Sequence, residues 1–162
     1  MLRRKFILNT LALAGVASLP VKLFAAEAKE VFAITHSDSE WRSLLTPAQY
    51  RILRQEGTEP PFSSPLNGEK RAGMFHCAGC DNELFSSTTK YDSGTGWPSF
   101  YAAIEKNVGT KQDFRIIFPR TEYHCARCGG HQGHIFNDGP KPTGKRWCNN
   151  GLALKFKPAK IG

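Results

Sequence analysis

The sequence has no internal repeat, no low-complexity linker and no apolar run long enough to remain in a membrane as a helix. A helix needs about 20 apolar residues to span a bilayer, and the main apolar run, FILNTLALAGVASL at positions 6–19, is shorter. These absences exclude repeat architectures and argue against a stable membrane anchor. The chain is therefore expected to form one domain of ordinary size behind a short targeting segment.

Residues 1–28 have the composition of an export signal. Arg3, Arg4 and Lys5 precede the apolar run, and small residues end the segment. Adjacent arginines resemble the twin-arginine signal, whose route moves folded, cofactor-loaded proteins; the alternative is an ordinary secretory signal that happens to contain two arginines. We expect export, to the bacterial periplasm, and a mature domain at residues 29–162.

The mature domain also lacks a strong excess of one charge sign. The full chain has 22 basic and 14 acidic side chains and a formal charge of +8. Residues 1–28 contain four of the basic side chains and one of the acidic ones, which leaves +5. A modest excess spread along the chain is typical of a solvated surface, so no nucleic-acid partner is expected.

Cysteine is scarce, and four of the five cysteines form two CxxC pairs, Cys77 with Cys80 and Cys125 with Cys128. Two such pairs are the usual sequence form of a four-thiolate zinc site, because each tight turn directs two sulfurs at one ion. Their wide separation predicts that several strands lie between them. The alternatives are two local disulfides, or one disulfide and a redox-active pair, since exported proteins form disulfides.

The remaining thiol, Cys148, is the candidate for chemistry. An unpaired cysteine in an exported chain invites explanation, and His131 and His134 precede it in the sequence. A thiolate is a nucleophile, and an imidazole can exchange a proton near neutral pH. The alternative is an inert buried thiol with two ordinary strand histidines.

Capping signals predict two short helices before the first cysteine pair. Residues 37–40, SDSE, contain a capping-box pattern. Thr46 followed by Pro47 predicts the start of a second helix, which is expected to end at Gly57.

From Gly73 onward the chain breaks into short strand-like pieces between Gly- and Pro-rich turns, which predicts a mainly β, antiparallel domain. Cys148 is expected in or just before the start of the last strand. The predicted strands are Met74–His76, Glu83–Phe85, Phe114–Phe118, His131–Phe136 and Leu152–Phe156.

The segment SGTGWPSF, residues 93–100, is predicted to be a tight loop. Gly94 and Gly96 permit backbone conformations closed to other residues, so the loop would present Trp97. Trp97, with Phe100, would bind an apolar part of a substrate; the alternative places both aromatic side chains in the core.

Several motifs in this order resemble the methionine-R-sulfoxide reductases of the MsrB family: EWRSLLTPAQYRILRQEGTEPPF, the two CxxC pairs, SGTGWPSF, TEYHCARCGGHQGHIFNDGPKPTG and RWCNN. The resemblance covers residues 39–156. It implies two antiparallel sheets, two or three short N-terminal helices and one structural Zn²⁺. It also implies reduction of the R epimer of methionine sulfoxide, free or in proteins. We expect a monomer.

The resemblance also implies residue roles. Cys148 would be the nucleophile, and Trp97 would face the S-methyl group of the substrate. The zinc ligands would be Cys77, Cys80, Cys125 and Cys128, and the active site would be completed by His131, His134, Asp138, Arg146 and Asn150.

The expected reaction is attack of the Cys148 thiolate on the sulfoxide sulfur, while His134 or His131, held by Asp138, protonates the oxygen. Arg146 would favour the thiolate, and Cys148 would end as a sulfenic acid. In the alternative, non-catalytic interpretation, Asp138 and Asn150 would only stabilise turns, and Arg146 would be a surface charge.

Many family members carry a resolving cysteine where this chain has Thr95. With the other four cysteines bound to zinc, regeneration of Cys148 would need an external reductant: a thioredoxin-like protein, a glutaredoxin-like protein or a small thiol. The sequence is also compatible with two other functions. One is a zinc-stapled binding module of the same fold without turnover, and the other is a basic zinc-ribbon nucleic-acid binder, against which the export signal argues.

Overall fold

The computed structural model describes residues 30–115 and 118–160. The predicted export signal lies outside the described residues. All the elements below belong to the compact unit that begins at Val31. Within the described part of the chain, no helix is both long and apolar enough to cross a membrane.

Among the described residues, two short helices come first, α1 at Asp38–Leu44 and α2 at Pro47–Gln55. Both predicted starts are confirmed, because the hydroxyls of Ser37 and Thr46 each accept the amide three residues ahead in a complete capping box. The predicted end of the second helix differs slightly. Glu56, with φ of 53°, adopts the left-handed conformation that ends α2, one residue before Gly57.

In the described part of the chain nine strands follow, and they form two antiparallel sheets, as predicted. The smaller sheet has the order β2-β1-β9, and the larger has the order β3-β4-β8-β7-β6-β5. The strands are β1 Gly73–Cys77, β2 Glu83–Ser86, β3 Lys90–Tyr91, β4 Ser99–Phe100, β5 Val108–Asp113, β6 Arg120–Cys125, β7 His131–Phe136, β8 Arg146–Asn149 and β9 Leu154–Pro158.

The strand predicted at Phe114–Phe118 is wrong for residues 114, 115 and 118, which belong to no strand, while residues 116 and 117 lie outside the described residues. Phe114 and Phe118 lie in the connection between β5 and β6, with 73% and 78% of their surfaces exposed. The real strand, β5, is largely polar and precedes them. Because β5 is at the edge of its sheet, it has few apolar residues to bury, and its sequence lacks the pattern of an interior strand.

The last strand also differs from the prediction. Cys148 lies on its own strand, β8, and β9 begins only at Leu154 after a short 3₁₀ turn at Gly151–Ala153. The backbone amides of Gly151 and Leu152 donate to the buried carboxylate of Glu59, so these amides are not available to a strand ladder.

The core lies between the two sheets and is rich in aromatic side chains. Phe75 and Phe85 of the smaller sheet meet Phe100, Tyr123 and Trp147 of the larger one. The rings of Phe85 and Phe100 stack with centroids 4.1 Å apart. One face of the large sheet is thereby buried, and its polar side chains are directed to the opposite face.

Candidate active site

That opposite face carries a row of polar side chains that crosses all six strands. Residues directly opposite one another on neighbouring strands share a face of the sheet, with Cβ atoms about 5 Å apart. The register therefore sets Cys148 between His134 on β7 and Ser99 on β4. The complete Cys148 row is Lys111, Glu122, His134, Cys148, Ser99 and Tyr91.

A pocket of about 130 Å³ opens beside this row. Cys148, His134 and Trp97 line it together, so the structure joins the predicted nucleophile, one predicted proton donor and the predicted aromatic wall. The other residues of the lining are Thr58, Arg120, Gly133, Phe136, Asn149 and Asn150.

The Cys148 thiol is partly buried, and burial raises its pKa above the ordinary value. The charge of Arg146 and a hydrogen bond with the Thr95 hydroxyl act in the opposite direction. The thiol is therefore protonated at neutral pH in the free protein, with a cation already placed to stabilise the thiolate.

Arg146 is held by Asp138 in a two-point ion pair, in which Nε and Nη2 each donate to a carboxylate oxygen at 2.8 Å. The Arg146 guanidinium also lies 4.2 Å from the ring centroid of Phe136. The expectation that Asp138 holds a histidine is wrong, because both of its carboxylate oxygens are engaged by Arg146. Asp138 thus positions the cation beside Cys148.

His134 is held by Asp113 at the end of β5. Its Nε2 lies 2.7 Å from Asp113 Oδ2, to which Arg120 Nη2 also donates at 2.7 Å. Burial lowers the pKa of His134, and the Asp113 carboxylate opposes that effect. Burial raises the pKa of Asp113, but the Arg115 amide, His134 and Arg120 hold it well below the ordinary value. Asp113 is therefore ionised and fixes which ring nitrogen of His134 is left for a substrate, namely Nδ1.

His131 lies behind His134, with ring centroids 5.5 Å apart, and it is fully buried. Its Nδ1 is 2.6 Å from Glu122 Oε1, and His124 Nδ1 is 3.2 Å from the other carboxylate oxygen. Burial alone would raise the pKa of Glu122, but hydrogen bonds from His124 and His131 lower it to about 2. His131 therefore supports the site from within and does not line the pocket.

Trp97 and Asn150 are positioned by Glu59, a buried residue of the segment after α2. The Trp97 indole donates to the Glu59 carbonyl at 3.0 Å, and the Glu59 amide donates to Asn150 Oδ1 at 3.0 Å. The Glu59 carboxylate accepts the amides of Gly151 and Leu152 at 2.6 and 3.0 Å. One residue thus ties the aromatic wall to the turn after β8.

Phe100 does not belong to the site. It is fully buried and packs between Phe75 and Phe85, so it contacts the core and no substrate. The alternative interpretation, a core aromatic, is correct for Phe100 but not for Trp97.

Asp113, Glu122 and Glu59 were missed by sequence reasoning. For Glu122 a signal existed, because Glu122 and His124 are two residues apart on a strand and must share a face. For Asp113 and Glu59 the sequence offered none, since their partners are distant in the chain.

The four cysteines of the CxxC pairs form one cluster, with all four sulfurs within 4.8 Å of one another. The Sγ atoms of Cys77 and Cys128 are 3.7 Å apart, and those of Cys80 and Cys125 are 3.5 Å apart. A tetrahedral site with Zn–S bonds of about 2.3 Å has edges of about 3.8 Å. The thiols are free, so the disulfide alternatives are wrong, and the cluster can hold a metal ion.

Comparisons with known proteins show the family to which this chain belongs. The model of the SelR domain family matches residues 45–158. The peptide methionine sulfoxide reductase MsrB of Methanosarcina barkeri is 52% identical over 131 residues, which cover 80% of this chain and 92% of the relative. MsrB of Leptospira interrogans is 51% identical over 127 residues, 78% of this chain and 97% of that protein.

A plant relative aligns over more of the chain. The chloroplastic peptide methionine sulfoxide reductase B1 of Arabidopsis thaliana is 47% identical over 154 residues, which cover 94% of this chain and 76% of the plant protein. The chain therefore belongs to the MsrB family, the SelR-domain methionine sulfoxide reductases.

Proposed function

We propose that this protein reduces methionine (R)-sulfoxide, free or in proteins, with Cys148 as its single catalytic cysteine and an external thiol as reductant. One observation carries the proposal: His134 and Cys148 are direct cross-strand neighbours and line one pocket with Trp97. A nucleophile, a proton carrier and an apolar wall are the three groups that the reaction requires.

The protons balance without an outside acid. Methionine sulfoxide and the thiol of Cys148 become methionine and a Cys148 sulfenic acid, so the proton that begins on the Cys148 sulfur ends on the transferred oxygen. At neutral pH the thiol carries that proton and His134 is neutral, as their pKa shifts dictate. His134 takes the proton through Nδ1, and Cys148 attacks the sulfoxide sulfur as a thiolate while the imidazolium protonates the oxygen. The protonated oxygen then passes from that sulfur to Cys148 Sγ as the transient bond between the two sulfurs breaks, which releases methionine.

Each surrounding group has a part in these steps. Arg146, held by Asp138, stabilises the thiolate as it forms. Asp113 stabilises the imidazolium and keeps its Nε2 occupied. The Trp97 ring packs against the S-methyl group, so that the position of the methyl group selects one epimer of the sulfoxide.

Regeneration then requires two external thiols. The first condenses with the Cys148 sulfenic acid, which forms a mixed disulfide and releases water, and the second attacks that disulfide and restores the Cys148 thiol. Thr95 offers no thiol for an internal disulfide. A thioredoxin-like or glutaredoxin-like protein or a small thiol fits this scheme.

We also propose that the cluster of four cysteines holds one structural Zn²⁺. Neighbouring amides already face two of the sulfurs, since Gln132 Nε2 lies 3.4 Å from Cys77 Sγ and Asn82 Nδ2 lies 3.5 Å from Cys125 Sγ. Such donors suit thiolates. The ion would stabilise the fold, because it would join the end of β1 to the end of β6. It would take part in no step of the reaction.

The test is turnover of the two epimers of methionine sulfoxide with dithiothreitol as reductant. We expect consumption of the R epimer alone, and complete loss in Cys148→Ser with the fold and zinc content unchanged. A sulfenic acid trapped by dimedone on Cys148 after one turnover would support the mechanism. Binding of the R epimer without turnover in the wild type would instead identify a binding module.

Export to a periplasm is a separate proposal, which is supported by the sequence of residues 1–28. The twin-arginine route predicts that Arg3→Lys together with Arg4→Lys retains the protein inside the cell. Normal export of this double variant would favour an ordinary secretory signal.

A further inference from the structure

A second, larger cleft borders the catalytic pocket. Its volume is about 600 Å³, whereas the catalytic pocket, at about 130 Å³, has room for little more than the end of one side chain. Trp97 lines both, so the two cavities are neighbours that share one residue as a wall. Ligand sites in proteins commonly measure about 300–1,000 Å³, and the larger cleft falls in that range.

Phe62 is one wall of the cleft, and it is unusual in two ways. It is 73% exposed, so it adds little to the core. Its backbone has a φ of 62°, a left-handed conformation that bulky side chains rarely adopt. Folding gains nothing evident from a strained, exposed aromatic residue, and such residues cluster at functional sites.

The position of Phe62 is nevertheless fixed. Its amide donates to the Gly96 carbonyl at 2.7 Å, and a Cβ on Gly96 would lie only 2.8 Å from that amide nitrogen. The loop that carries Trp97 is thus packed directly on the backbone of Phe62. Together with Pro98, the two aromatic rings give the cleft a preformed apolar wall.

Four charged side chains line the cleft, two acidic and two basic, and three of them are engaged by other groups, all but the exposed Lys70. Glu69 forms an ion pair with Arg71 at 2.6 Å, Lys90 Nζ donates to a backbone carbonyl at 2.8 Å, and Asp92 accepts a backbone amide at 2.9 Å. The cleft therefore presents no excess of one charge sign to a ligand, and its apolar wall decides what it binds.

We infer that this cleft binds the residues that flank the methionine sulfoxide in an oxidised polypeptide, and that Phe62 and Trp97 select an apolar side chain there. The inference rests on the proposed reductase function. A sulfoxide side chain in the catalytic pocket leaves its own main chain at the rim, beside Trp97, and the neighbouring residues then reach the cleft.

The test compares three substrates that contain methionine (R)-sulfoxide: the N-acetyl methylamide, a hexapeptide with leucine on both sides of the sulfoxide, and the same hexapeptide with serine on both sides. In the wild type, kcat/KM for the leucine peptide should exceed that for the serine peptide by about tenfold. Phe62→Asn removes the ring and suits the left-handed backbone, and it should reduce this ratio to near one.

Two controls separate the ring from general effects. Phe62→Tyr keeps an aromatic ring and should keep the ratio. Leu44→Asn removes an exposed apolar side chain, 60% accessible, from the end of α1, and it should also leave the ratio unchanged. A wild-type ratio near one, or a ratio that survives Phe62→Asn, would overturn the inference with the reductase activity intact. No turnover of any of the three substrates would refute the proposed function itself and the role of the cleft with it.

Discussion

Neutralising Asp113 is the sharpest test of the proton pathway. Asp113 accepts three hydrogen bonds, from the Arg115 amide at 3.0 Å and from His134 and Arg120 at 2.7 Å each. In Asp113→Asn only one side-chain oxygen remains. The negative charge is lost in either orientation of the amide. If the amide nitrogen faces His134, the imidazole must also change tautomer.

Either orientation makes the imidazolium of His134 harder to form. General acid–base catalysis contributes about 10²–10⁴-fold to a rate. In this variant His134 remains, and only the carboxylate that stabilises its imidazolium is lost. We therefore expect the rate constant at neutral pH to fall by about 10–100-fold, which is no more than the lower bound of that range.

The pH dependence of the rate should shift in a definite direction in Asp113→Asn. Activity requires one proton on the Cys148–His134 pair, so it falls at low pH when His134 binds a second proton and at high pH when the thiol loses its only one. The Asp113 charge raises the pKa of His134 against the effect of burial. Asp113→Asn must therefore move the acid limb to lower pH.

The assay is single-turnover formation of methionine from the R epimer, because it removes the reductant from the measurement. Its second-order rate constant is followed from about pH 5 to pH 9 and reports the free enzyme. The matched control is Asp81→Asn, which neutralises a half-exposed aspartate that forms an ion pair with Lys157. An acid limb that stays in place or moves to higher pH would refute the role of Asp113.

Three further predictions concern stability and regeneration. Glu122→Gln should lower the free energy of unfolding in urea by about 2–4 kcal/mol, since a neutral amide replaces a buried carboxylate between two histidines. Because the pKa of Glu122 is about 2 in the folded protein and 4.5 for an unperturbed glutamate, its stabilisation is complete above pH 4.5 and lost as the pH falls towards 2; the glutamine variant should lack this component. Elemental analysis should find one zinc per chain, and a chelator should lower the melting temperature, whereas an unchanged melting temperature would contradict the structural role of the ion. Thr95→Cys should form a disulfide with Cys148 after one turnover, seen as a mass loss of two hydrogens, because the Thr95 side chain already contacts that sulfur; persistence of the sulfenic acid would show that the loop cannot deliver the new thiol.

The sequence predicted well the features that depend on neighbouring residues. Both capping boxes formed as expected, because a cap and its partner lie three residues apart. The CxxC spacing likewise predicted the cysteine cluster, since each pair belongs to one turn. The pairing of His134 with Cys148 needed the resemblance to a known family, because nothing local shows that β7 and β8 are adjacent.

Features that depend on strand register were missed or misassigned. Asp113 reaches His134 only because β5 ends beside the pocket, and β5 itself was placed at the apolar residues that follow it. Phe100 and Trp97 sit three residues apart on one loop and strand, yet one is in the core and the other in the pocket. The direction of a side chain at a loop-to-strand junction depends on the pairing of β4 with β8, which composition does not reveal.

Cys148 lies on β8, a strand with a hydrogen-bonded neighbour on each side. Interior strands open only when the surrounding sheet comes apart, so the reacting sulfur has no segmental freedom with which to meet an electron donor. A protein donor must therefore extend its own thiol on a protruding loop down to the sheet surface, whereas a small thiol can diffuse there. The rigidity of β8 thus limits the reductants of Cys148 to those whose thiol can reach the surface of the sheet.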